Sequence, residues 1–182
     1  MAAARAGQGL PVPELSLAYA SPEQLVLHLS GAPGSPALAD PPSPWRAGPD
    51  GRTWSVRAED LEGLPVPDVA APYPALAGVA TSHGFELLVD LEAAPGLIAL
   101  GGDAVRARDV ATSVAVELAT NAWSDGVRVT LVGFGEDLVA LAPGHLHQVP
   151  TLAAVLDAVE EDARGHDDLA RALGVDLSLI HI

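Results

Sequence analysis

Four residues come closest to a chemical motif in this sequence: Gly101, Gly102, Arg106 and Arg108, inside "GLIALGGDAVRARDVATSVAVELA". A short apolar run ends in two glycines and a helical pattern follows, which is where a phosphate-binding loop sits in a nucleotide-binding protein. A hydrolytic loop of the form G-x-x-x-x-G-K-[ST] uses its glycines to wrap backbone around phosphate. Its lysine bridges the outer phosphates and its hydroxyl holds magnesium. With Gly101 as the first glycine, Arg106 takes the place of the second, Ala107 that of the lysine and Arg108 that of the Ser/Thr. Each replacement removes one function, and the chain has no lysine to substitute. A helix N-terminus with arginine can still hold an anion without hydrolysing anything. Against that stand Asp103 and Asp109, whose charges oppose an anion, and an ordinary capped turn explains the same residues. The expectation is a degenerate loop at Gly101, Gly102, Arg106 and Arg108, with no catalytic residue, no metal and no cofactor.

The remaining candidates are thinner. His145 and His147 form an H-x-H pair, but a metal site needs a third ligand, so surface histidines are expected. Glu136-Asp137 follows an apolar strand pattern at the end where α/β sheets bind ligands. Without a partner base or nucleophile the pair reads as a helix-start cap. Trp45, Trp54 and Trp123 are the large aromatics. Trp123 is expected in the core and Trp45 as a packing anchor in a Pro-rich loop. The run "EEDARGHDD" reads as a solvated acidic helix end. No Ser-His-Asp, Cys-His or paired-carboxylate arrangement stands out.

The elements that would position these residues fall into sections. Residues 1–60 read as a β-rich segment. Leu15, Leu17 and Tyr19, then Leu25, Leu27 and Leu29, alternate on either side of Ser21-Pro22-Glu23, a hairpin pattern. A Pro-rich loop through "PPSPW" follows, then a turn at Pro49-Asp50-Gly51 and a strand at Thr53–Val56. Residues 61–74, with Pro65, Pro67, Pro72 and Pro74, read as a connector. Residues 75–176 alternate strand and helix patterns. These are a hairpin turning at Ser82-His83-Gly84, a buried parallel strand in "GLIAL", and a helix over 103–122 with Asp103 as N-cap. That helix has Ala107, Ala111, Val114, Leu118 and Ala122 on its buried face. A second buried strand in "VRVTLVGF" precedes a helix opened by Thr151. Strand, helix, strand, helix implies a parallel α/β sheet.

The 182-residue chain has room for a sizeable core, and with aromatics at only 4% that core is expected to be aliphatic. Net charge is −15 and every basic residue is arginine. Such a chain is repelled by a phosphate backbone, so nucleic-acid binding is excluded as an expectation. No apolar run spans a bilayer, so no membrane contact is expected of this piece, and a cysteine-free chain fits the cytoplasm. The last six residues, "LSLIHI", back-translate to a transposase mosaic-end adapter. They are expected to be a sequencing artefact at 177–182, with the natural protein continuing past Asp176.

The stretch "LIALGGDAVRARDVATSVAVELATNAWSDGVRVTLVGFGEDLVALAPGHLHQV" resembles the core of FtsK/SpoIIIE-type ATPases, especially the modules of actinobacterial type VII secretion. Gly133 stands where their Walker B aspartate would be. The N-terminal hairpin and "PPSPW" loop are similar to a region of large actinobacterial proteins that carry a membrane anchor, a LysM module and a bacterial transcriptional activator domain. The resemblance implies a three-layer P-loop-like α/β domain with a mainly parallel sheet. It further implies a pseudo-ATPase without turnover that acts as a scaffolding or regulatory module on other domains or protein subunits. The alternative it leaves open is a nucleotide sensor, and an active ATPase ranks last.

Overall fold

In the computed structural model, the described residues are 12–32, 35, 38, 40–64, 71–94, 97–124 and 126–156. The chain divides into two compact units, residues 1–127 and 128–182.

The first unit is built on a six-stranded sheet, β1 (Leu15–Ala20), β2 (Gln24–Leu29), β3 (Arg46–Ala47), β4 (Thr53–Arg57), β5 (Leu76–Ser82) and β6 (Phe85–Asp90). The strand order is β3-β4-β2-β1-β6-β5, and every pairing is antiparallel. Three short turns drive it. Ser21 closes the first by donating its N–H to Gln24 O, while its Oγ accepts from Glu23 and Gln24 N–H. Asp50 closes the second, accepting from Arg52 N and Thr53 N. The third has two central residues, His83 and Gly84, both at positive φ (51° and 81°), the twist that tight hairpins favour. The strands at these hairpins match the alternation in the sequence.

Alternation then sets the faces. Ala18 and Ala20 of β1 lie opposite Leu27 and Leu25 of β2, which lie opposite Trp54 and Val56 of β4. Ala18 also faces Leu88 of β6. These residues share one face, and with Leu15, Leu29, Leu38 and Tyr73 most of them make the buried core. The core is not purely aliphatic. Trp54 is fully buried and donates Nε1–H to Leu38 O at 3.2 Å. Tyr73 is buried and donates its hydroxyl to Pro13 O at 2.7 Å.

Helix α1 (Ala104–Thr120) packs against β5. Asp103 caps it as the sequence indicated, its Oδ1 accepting from Arg106 N at 3.0 Å. The buried stripe is Ala115, Leu118 and Ala119 rather than the expected set, of which only Leu118 is fully buried. In the second unit β7 (Val129–Val132) pairs in parallel with β8 (Leu146–Val149), joined through a 3-10 turn over Glu136–Leu141. Residues 152–156 are helical, and Thr151 Oγ1 accepts from Ala154 N. The acidic run "EEDARGHDD" and the 177–182 segment lie outside the described residues.

The three-layer, mainly parallel P-loop-like fold is therefore overturned. The main sheet is antiparallel, and among the described residues parallel pairing occurs only between β7 and β8. The decisive segment is "GLIAL". Its described part, residues 97–100, is not a strand, and Leu97 is 91% exposed. A continuous apolar run carries no face information, so its pattern could not tell a buried strand from an unpaired segment. The hairpin at His83-Gly84 adds its strands to β1, more than sixty residues earlier, and so extends an antiparallel sheet.

Candidate binding groove

The core face of the first unit is not completely covered. Leu25 and Leu27 from β2, Ala20 from β1, Leu88 from β6 and Leu76 from β5 form the floor of an open groove of about 320 Å³. Trp45, just before β3, Tyr73 and Pro72, just before β5, and Trp123, just after α1, form its walls. Among the described residues no charged side chain lines it. The indole of Trp123 is fixed from the back: Nε1–H donates to Leu76 O at 3.1 Å. Trp123 is thus a wall with 43% of its surface exposed, not the core residue expected. Trp45 is partly buried and packs on the core cluster, which fits a packing anchor.

Tyr73 and Pro72 have a second face. They also line an adjoining pocket of about 450 Å³ with Val12, Pro13, Glu14, Leu15, Asp90, Glu92 and Ala93. Asp90 follows Leu88 by two residues on β6 and points to the same side of the sheet. It is 7% exposed, and its Oδ1 accepts from Glu92 N at 3.2 Å. Burial pushes its carboxyl above the ordinary aspartate range, with only that hydrogen bond pulling the other way.

The residues singled out as a loop site lie elsewhere. Gly101, Gly102, Arg106 and Arg108 are all exposed, and Gly102 has φ of 105°. The Asp103 carboxylate already takes the Arg106 N–H that an anion at this helix start would use. His145 and His147 are both exposed, and no group of three metal-binding side chains occurs among the described residues. Glu136 and Asp137 lie in the first turn of the 3-10 segment, exposed, after Gly135 at φ 78°. No helix among the described residues is long and apolar enough to cross a membrane.

The groove itself was invisible to motif reading, because Trp45, Tyr73 and Trp123 come from three separate connections. The available signal was hairpin parity, which places Leu25 and Leu27 on one face with Ala18 and Ala20, but not Leu88, whose strand joins through the long-range β1–β6 pairing. The chain matches no family model, no curated protein and no solved structure.

Proposed function

We propose that this chain is a non-catalytic protein-interaction module, a scaffolding or regulatory piece of a larger protein. On this reading it holds apolar side chains of a neighbouring domain or partner subunit in the Trp45–Tyr73–Trp123 groove. The observation that carries the proposal is a concave surface, walled by two indoles and a tyrosine and lined by no charged side chain among the described residues, on an otherwise strongly acidic chain. Aromatic walls around a desolvated apolar floor are the usual anatomy of an anchor site for a partner side chain.

The test is a titration of the ¹⁵N-labelled chain with N-acetyl-leucinamide, followed through the three indole N–H resonances. Trp45 and Trp123 are expected to shift and fully buried Trp54 to stay. A Leu25→Asp variant is expected to abolish the shifts. Unmoved Trp45 and Trp123 would overturn the proposal. So would saturable binding of ATP or GTP, measured by calorimetry, that disappears in an Arg106→Ala/Arg108→Ala variant, because the loop and not the groove would then be the working site.

A further inference from the structure

We infer that the groove and the acidic pocket beside it are two halves of one recognition site, and that its ligand is a peptide segment carrying an apolar side chain followed, two residues on, by arginine or lysine. The inference rests on the groove being the binding surface, and it adds the identity of the partner's chemistry.

Three observations support it. First, the two depressions share a wall, since Pro72 and Tyr73 line both. Leu88 in the groove floor and Asp90 in the pocket are two residues apart on β6, about 7 Å along the strand. In an extended peptide, side chains at positions i and i+2 point the same way and stand about 7 Å apart, so one can enter each side of the Tyr73 ridge.

Second, the charge is one-sided. Glu14, Asp90 and Glu92 line the pocket, and among the described residues no arginine or histidine does. No charged group bears on Asp90 among the described residues, and only the Glu92 N–H offsets the cost of its burial. A buried carboxylate in that position is stabilised by a cation that arrives with a ligand.

Third, the carboxylate is positioned. Asp90 is held by the β6 ladder opposite Leu76 and by the Glu92 N–H on its Oδ1. Its orientation is set before any ligand binds, which lowers the entropy lost on binding. The whole-chain charge of −15 attracts a basic segment over longer range.

Three probes test this by NMR titration of the full chain: Ac-Leu-Gly-Arg-NH₂, its neutral isostere with citrulline in place of arginine, and N-acetyl-leucinamide. The arginine peptide is expected to bind about tenfold more tightly than the citrulline peptide at low salt, an advantage that shrinks as salt rises. It is expected to shift amides of Glu14, Asp90 and Glu92 as well as the two indoles. Asp90→Asn keeps an acceptor for Glu92 N–H but removes the charge, and it should erase the difference between the two peptides. Should that variant misfold, Glu14→Gln with Glu92→Gln takes its place and should narrow the difference. Equal affinity for the arginine and citrulline peptides, with both indoles shifting, would overturn this inference and leave the groove proposal standing. No binding by any probe would overturn both.

Discussion

Glu117 on helix α1 accepts a hydrogen bond from the backbone N–H of Gly78 on strand β5, at 2.9 Å. β5 is an edge of the six-stranded sheet, and an edge N–H left open is a template for unwanted pairing. Two residues earlier on the same strand, Leu76 O takes the indole N–H of Trp123. Residues two apart on a strand point their backbone groups the same way, so one helix and the turn after it cover two successive positions of the edge. The same contact that protects the sheet also fixes a wall of the groove.

Gly78 is the weak point of this arrangement. A β-bulge interrupts the β5–β6 register just after it. A Cβ at residue 78 would collide with Glu86 Oε1 and lie 3.2 Å from Glu117 Oε2. The Glu86 carboxylate is the end of an exposed side chain and can swing clear, so Gly78→Ala is expected to cost no more than about 1 kcal/mol, through the close approach to Glu117. Urea unfolding measures it. A loss of several kcal/mol would show that neither glutamate can give way at this strand.

Glu117 also sets a pH dependence. Burial raises its carboxyl above the ordinary glutamate value of 4.5, and the charge of Glu86 raises it further, while the Gly78 N–H pulls it down. Other charged residues on α1, Arg106, Arg108 and Asp109, lie more than two turns away along the helix, and β5 carries none. A raised folded-state value means that the folded chain binds the proton more tightly than the unfolded one. That contribution is complete below the unfolded value and is lost as pH rises through the folded value. Asp90 acts in the same direction, and Asp50, lowered chiefly by its Thr53 hydrogen bond, acts oppositely. Glu117→Gln keeps an acceptor for Gly78 and cannot titrate. It should be less destabilised than the parent as pH rises from 4.5 upward, read as the difference in urea midpoints across that range. Parallel pH profiles for the two would contradict the assignment.

Trp123 tests the second clamp. Trp123→Phe keeps most of the groove wall and removes the bond to Leu76 O. The expected cost is about 0.5–1.5 kcal/mol, the net value of one hydrogen bond. Hydrogen exchange should show faster exchange at the start of β5 than at its end. Uniformly faster exchange over the whole sheet would mean a global loss instead.

The hairpins were legible in the sequence because each depends on local signals. Ser21-Pro22-Glu23, Asp50-Gly51 and His83-Gly84 supply turn chemistry, and Leu25, Leu27 and Leu29 alternate. The Asp103 cap was legible for the same reason. The order of strands was not, because the pairing of β1 with β6 joins residues about seventy apart and no local pattern encodes the partner. β3, at two residues, was too short to leave a signature. The groove was hidden by both effects together: parity gives only the β1–β2 part of its floor, Leu76 and Leu88 arrive through the β1–β6 pairing, and its walls depend on where three irregular connections come to lie. The glycine pair at 101–102 has the pattern of a phosphate loop because two glycines before a helix give that pattern whatever they do. Here both glycines are exposed, and open space surrounds the position a Cβ would take at each.

The segment "LIAL" separates the two fold readings by experiment. As a buried parallel strand, Leu97→Ser would delete core packing and cost about 2–5 kcal/mol. In the structure Leu97 is 91% exposed, Ile98 47% and Leu100 48%. Leu97→Ser should then change stability by no more than about 0.5 kcal/mol, as surface substitutions do. It should also reduce self-association, because Leu97, Ile98, Leu100 and Val105 form an exposed apolar stretch and exposed apolar surface promotes sticking. Urea unfolding gives the first quantity, and sedimentation velocity over a range of concentrations gives the second. A loss of several kcal/mol would restore the buried strand and put the antiparallel sheet in question at its β5 edge. An unchanged midpoint with weaker self-association would place the segment on the surface, where a single polar substitution improves the chain's behaviour at no cost to its core.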